Sequence, residues 1–113
     1  EYENILENVP DLCKNETTAV NLSICLNYWV SGWFTYKPTW DFTPMTFEKL
    51  KAEGGDCRDY TELYTSIGNQ LGFYTKKIAY PTEKIYGHTF ALIGDDEGYC
   101  ILDQTNIWCF MLK

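Results

Sequence analysis

From about Thr17 to Phe34, Leu22, Leu26, Trp29, Val30 and Trp33 recur at the spacing of a helix with one wide buried face. An irregular connection is expected next, because Tyr36 to Pro44 holds two prolines among several aromatics. Thr46 is placed to cap a short helix through Glu53, with Phe47 and Leu50 inward and Gly54-Gly55 ending it. Beyond Cys57, the residues Tyr60, Leu63, Tyr64, Ile67 and Leu71 trace the firmest helical stripe in the chain, and Gly72 stops it.

The last third changes period. Strands are predicted near Tyr74 to Tyr80, His88 to Ile93 and Tyr99 to Asp103, with Asp95-Asp96-Glu97-Gly98 as the turn between the last two. Helices followed by an antiparallel sheet predict an α+β domain. No repeat, low-complexity stretch or linker interrupts this order. One domain over residues 1–113 is therefore expected, excised from a longer protein because Glu1 rather than Met begins it.

Composition narrows the function classes. Hydrophobic residues at 45% and aromatic residues at 17% are enough to form a packed core, so Trp29, Trp33, Trp40 and Trp108 are read mostly as core. A net charge of −7 opposes binding to phosphate backbones and anionic lipid, which argues against a nucleic-acid partner. No apolar run approaches the roughly 20 residues of a membrane span, so no direct membrane insertion by this domain is expected. Neither metal nor cofactor is indicated. Asp95-Asp96-Glu97 lacks calcium-loop spacing and reads as a solvated turn. A single His without closely spaced cysteines does not make a zinc site, and Gly54-Gly55 lacks the remainder of a phosphate loop.

Five cysteines leave an even four if Cys57 is free. Of the three pairings open to them, Cys13 with Cys25 and Cys100 with Cys109 is favoured, since each pair lies within one neighbourhood of the chain. Two glycosylation acceptor patterns, Asn15-Glu16-Thr17 and Asn21-Leu22-Ser23, point the same way, although Asn21 falls within a predicted helix. Disulfides and acceptor sites together suggest an extracellular or cell-surface domain.

Cys57 sits where the unpaired N–H groups and dipole of a helix N-terminus favour a thiolate, the reactive form of cysteine. Its own backbone amide is the first candidate donor to an oxyanion. The two preceding glycines are expected to allow a sharp turn and leave room for a substrate. The only histidine, His88, and Asp103 lie on neighbouring strands. If the turn pairs Gly94 with Tyr99, Phe90 falls opposite Asp103, and His88 and Asp103 become diagonal neighbours on one face. A three-residue loop would put them on opposite faces. On the shared face, the carboxylate would orient the imidazole as the third member of a triad does.

Three segments carry a family resemblance: Gly54-Gly55-Asp56-Cys57-Arg58-Asp59-Tyr60, then Gly87-His88-Thr89-Phe90-Ala91-Leu92, then Leu102-Asp103-Gln104-Thr105. Over residues 44–105 the chain resembles the transglutaminase-like superfamily, a papain-like core whose members often read Gly-His-x-Trp and Leu-Asp-Pro-Thr where this chain has Phe90 and Gln104. The resemblance implies a cysteine acyl mechanism on a peptide or protein substrate, with Cys57 as nucleophile, His88 as general base and acid, and Asp103 orienting His88. It also implies a second oxyanion donor upstream, for which Tyr36 or Trp40 is the candidate. Hydrolysis is expected over transfer to an amine, because so short a chain leaves little for a water-excluding lid. The alternatives are a transglutaminase or acyltransferase and a non-catalytic binding module on the same fold.

Overall fold

A computed structural model describes residues 2–38, 45–82 and 87–112. A short 3-10 turn, Ile5–Asn8, precedes α1 (Asp11–Lys14), α2 (Ala19–Ser31), α3 (Phe47–Glu53) and α4 (Cys57–Gln70). Strands β1 (Tyr74–Tyr80), β2 (His88–Gly94), β3 (Gly98–Asp103) and β4 (Asn106–Met111) follow. They form one antiparallel sheet in the order β1-β2-β3-β4. The protein is α+β.

Helix α2 is shorter than its apolar stripe suggested. Thr18 accepts a hydrogen bond from Asn21 N–H at 3.2 Å and so starts the helix at Ala19, and Gly32 ends it, leaving Trp33 and Phe34 beyond. The short helix α3 begins behind its Thr46 cap as expected. The stripe of α4 is buried along its length, with Tyr60, Leu63, Tyr64 and Ile67 at 0% exposure. This helix packs on β1 and β2, while α2 crosses β2, β3 and β4. Ala91, Ile93, Cys100 and Leu102 supply the sheet's side of the core.

Two strand-level findings go beyond the sequence reading. The chain continues past Asp103 into β4, through a two-residue turn in which Gln104 holds φ 60°. Asp95 is more than a solvated turn residue: its side chain accepts from Ala19 N–H at 2.8 Å, which caps α2, and from Glu97 and Gly98 N–H at 2.9 and 3.2 Å. Those hydrogen bonds, Ala19 first, hold its carboxyl below the ordinary aspartate value.

Cys13 is bonded to Cys25, joining α1 to α2, and Cys100 to Cys109, joining β3 to β4. Two disulfides suit an oxidising, extracytoplasmic environment. Asn15 and Thr17 lie exposed between α1 and α2, whereas Ser23 of the other acceptor pattern is buried in the core. Among the described residues, no helix is long and apolar enough to cross a membrane.

Candidate active site

Gly54-Gly55 delivers Cys57 through a turn that only glycine accommodates. Gly54 has φ 93°, and a Cβ there would lie 2.4 Å from the Thr35 carbonyl oxygen. A Cβ on Gly55 would meet Asp59 Oδ2 at 2.6 Å and Leu50 Cδ1 at 2.7 Å. The space beside Gly55 is thus filled by the protein itself, which corrects the expectation that this glycine leaves room for a substrate. The Thr35-to-Lys37 segment runs parallel to the turn: Gly55 N–H donates to Thr35 O at 3.1 Å and Lys37 N–H to Gly55 O at 2.8 Å. Tyr60 OH donates to Thr35 O at 2.7 Å and ties the same segment to α4.

Asp56 is the N-cap of α4. Its carboxylate accepts from Arg58 N–H at 3.0 Å and Asp59 N–H at 3.4 Å, and Asp59 Oδ2 accepts from Asp56 N–H at 2.9 Å. This reciprocal capping box closes the first turn. Arg58 clasps Asp56 at 2.8 Å, a bond that raises the guanidinium further. Burial pushes the Asp59 carboxyl above the ordinary value. With Tyr60 N–H donating to Asp56 O at 3.2 Å, the Cys57 N–H is the one first-turn donor left without a partner among the described residues. Its thiol is free and half-buried.

The β2–β3 register pairs Gly94 with Tyr99, as the longer turn required. His88 Nε2 lies 2.7 and 2.8 Å from the two Asp103 oxygens. A carboxylate only accepts, so Nε2 carries the proton and Nδ1 is the nitrogen left for a second partner. Tyr80 packs edge-on to the imidazole at 5.6 Å and to Phe90 at 5.9 Å, consistent with one shared face.

The helix and strand run in the same direction and are pinned at their far ends, where Gly68 packs on Ile93. A Cβ on Gly68 would lie 3.2 Å from Ile93 Cδ1. From Gly68 back to Cys57 the helix extends about 16 Å. From Ile93 back to His88 the strand covers about 16 Å. Cys57 and His88 therefore reach the same end of the molecule. Strand alternation nevertheless puts Ala91 and Ile93 toward α4, and His88, Phe90 and Asp103 on the other side. His88 is the first residue of β2, at the strand end nearest the start of α4. No hydrogen bond joins Cys57 Sγ to His88 among the described residues.

Tyr36 lies beside Gly55 across the bridge and is half exposed. Trp40 lies outside the described residues. Sequence reasoning missed Asn27 and Tyr64 as polar groups of this region. Tyr64 OH donates to Gln104 O at 2.6 Å, and Asn27 Nδ2 donates to Gln104 O at 3.3 Å and to Tyr64 OH at 3.4 Å. A signal was present for Asn27, an amide on the apolar stripe of α2 between Leu26 and Val30. No family model, curated protein or solved structure matches this chain.

Proposed function

We propose that the protein cleaves amide or peptide bonds through a thioester on Cys57. The observation that carries this reading is the His88–Asp103 pair, which engages Nε2 with both carboxylate oxygens and leaves Nδ1 for a second partner, in a chain whose one free thiol begins α4. His88 takes the thiol proton as Sγ attacks the carbonyl carbon. The Cys57 N–H donates to the resulting oxyanion, and Tyr36 is the candidate second donor. The C–N bond then breaks, the leaving amine takes the proton from His88, and water hydrolyses the thioester with His88 as base. The absent Cys57–His88 hydrogen bond is compatible with this sequence if it forms in the substrate complex, where catalytic contacts tighten.

The resemblance to the transglutaminase-like superfamily supports the same assignment of Cys57, His88 and Asp103. The disulfides support an extracellular or cell-surface setting, and a peptide or protein is the proposed substrate. One observation favours a second reading, a binding module on the same scaffold: His88 and α4 lie on opposite sides of the sheet.

Alkylation separates the two. Cys57 is the single free thiol, so iodoacetamide reports on it alone. For an activated nucleophile, labelling of the folded protein near neutral pH exceeds that of the unfolded chain, and His88→Ala removes the excess. Equal rates in folded, unfolded and His88→Ala protein would leave the binding module as the reading.

A further inference from the structure

The turn that follows Asp103 is held from inside the protein. Gln104 adopts a left-handed backbone that side-chain-bearing residues rarely take, and its neighbour Thr105 completes the two-residue connection to β4. The Gln104 carbonyl belongs to the central peptide of that turn. Rotation of this peptide plane interconverts turn types, so holding the carbonyl anchors the turn that directly follows Asp103, at the end of the strand that carries its side chain.

Two side chains from different helices converge on this carbonyl. Tyr64 of α4 is fully buried and donates at 2.6 Å, and Asn27 of α2 is nine-tenths buried and donates at 3.3 Å. Asn27 spends its other amide hydrogen on Tyr64 OH, which holds the phenol in place. Burial raises the Tyr64 phenol, so it stays a donor. Neither residue touches His88, and both act through the Gln104 peptide.

We propose that Tyr64 and Asn27 are positioning residues that lock the Asp103 carboxylate onto His88 Nε2 and so keep Nδ1 free. The functional consequence rests on the cysteine mechanism above, but the positioning itself is measured without turnover. Because the chain has one histidine, imidazole ¹⁵N spectra of the full chain report His88 alone. At a pH where the imidazole is neutral, the native protein is expected to show a single tautomer with the proton on Nε2. Tyr64→Phe keeps the ring and removes the donor, and it is expected to convert this to a mixture of tautomers. Asn27→Leu removes the second donor to the same carbonyl and is expected to do the same. It decides the matter alone if Tyr64→Phe does not fold.

Gln104→Gly keeps both the carbonyl and the permitted backbone, and is expected to retain the single tautomer. A single Nε2–H tautomer persisting in folded Tyr64→Phe and Asn27→Leu would overturn the proposal. So would a mixture in the unaltered protein. If instead the tautomer responds as expected while Cys57 shows no enhanced alkylation, the positioning stands and the hydrolase reading fails.

Discussion

The two ends of α4 are held by different physics. At its C-terminal end, Ile67 and Gly68 pack against the sheet through apolar contact, a Cβ on Gly68 would press on Thr75 Cγ2 at 2.8 Å, and the directed bonds of Ser66 and Gln70 go to the Tyr2 backbone. At its N-terminal end, the capping box and the Arg58–Asp56 pair close the first turn, and the Tyr60 and Tyr64 hydroxyls make directed hydrogen bonds to Thr35 and Gln104. Apolar contact is non-directional and sets how firmly the helix is held. Hydrogen bonds have preferred distances and angles, and set where its first residue points. A reactive group needs the second kind of constraint, and Cys57 lies at that end.

The comparison breaks if both ends govern the same property. Ile67→Ala is expected to have the largest effect on stability, a loss of about 2–5 kcal/mol for an aliphatic side chain truncated in a dry core. Urea unfolding would measure it. The labelling rate of Cys57 in the folded variant should stay unchanged, and a rate that fell with stability would show the two ends to be one mechanical unit.

Asp56→Ala tests the polar end. Loss of the N-cap is expected to cost about 1 kcal/mol. In contrast to Ile67→Ala, it should change the Cys57 alkylation rate, because the Arg58 and Asp59 N–H groups lose their acceptor beside the thiol. Unaltered reactivity would mean that the capping box serves folding alone.

The smallest expected effect lies at the turn furthest from His88. The folded value of Asp95 is depressed, so its contribution to stability is complete above the unfolded aspartate value of about 3.9. That contribution is lost as pH falls through the lower folded value. Thermal unfolding from pH 6 downward should therefore show a steeper acid decline in the native protein than in Asp95→Asn. Parallel curves would remove Asp95 from the account, while Cys57 labelling should be the same in both proteins at neutral pH.

Legibility followed the range of the interactions. Helix α4, its stripe and its glycine stop were readable because the pattern repeats every turn. The β2–β3 register was readable because the length of one turn decides which side chains share a face, and both disulfides close short segments. Strand β4 was not. Asn106 to Met111 is an almost unbroken apolar run, and Gln104-Thr105 carries none of the glycine or asparagine chemistry that announces a hairpin. Gln104 turns left-handed with Tyr64 and Asn27 holding its carbonyl, contacts made across 40 and 77 positions of the chain.

By itself, the sequence determined that Cys57 would begin an amphipathic helix, and it made the sharing of one sheet face by His88 and Asp103 turn on the length of a single loop. Both depend on spacing within a few residues, where periodicity and turn length leave few options. Only the tertiary structure decided that this face is turned away from α4, that Cys57 and His88 lie toward the same end of the molecule with no hydrogen bond between them among the described residues, and that a buried tyrosine and asparagine grip the turn beside Asp103. Those outcomes depend on how a helix packs across the whole sheet, and no local pattern of side chains specifies that arrangement.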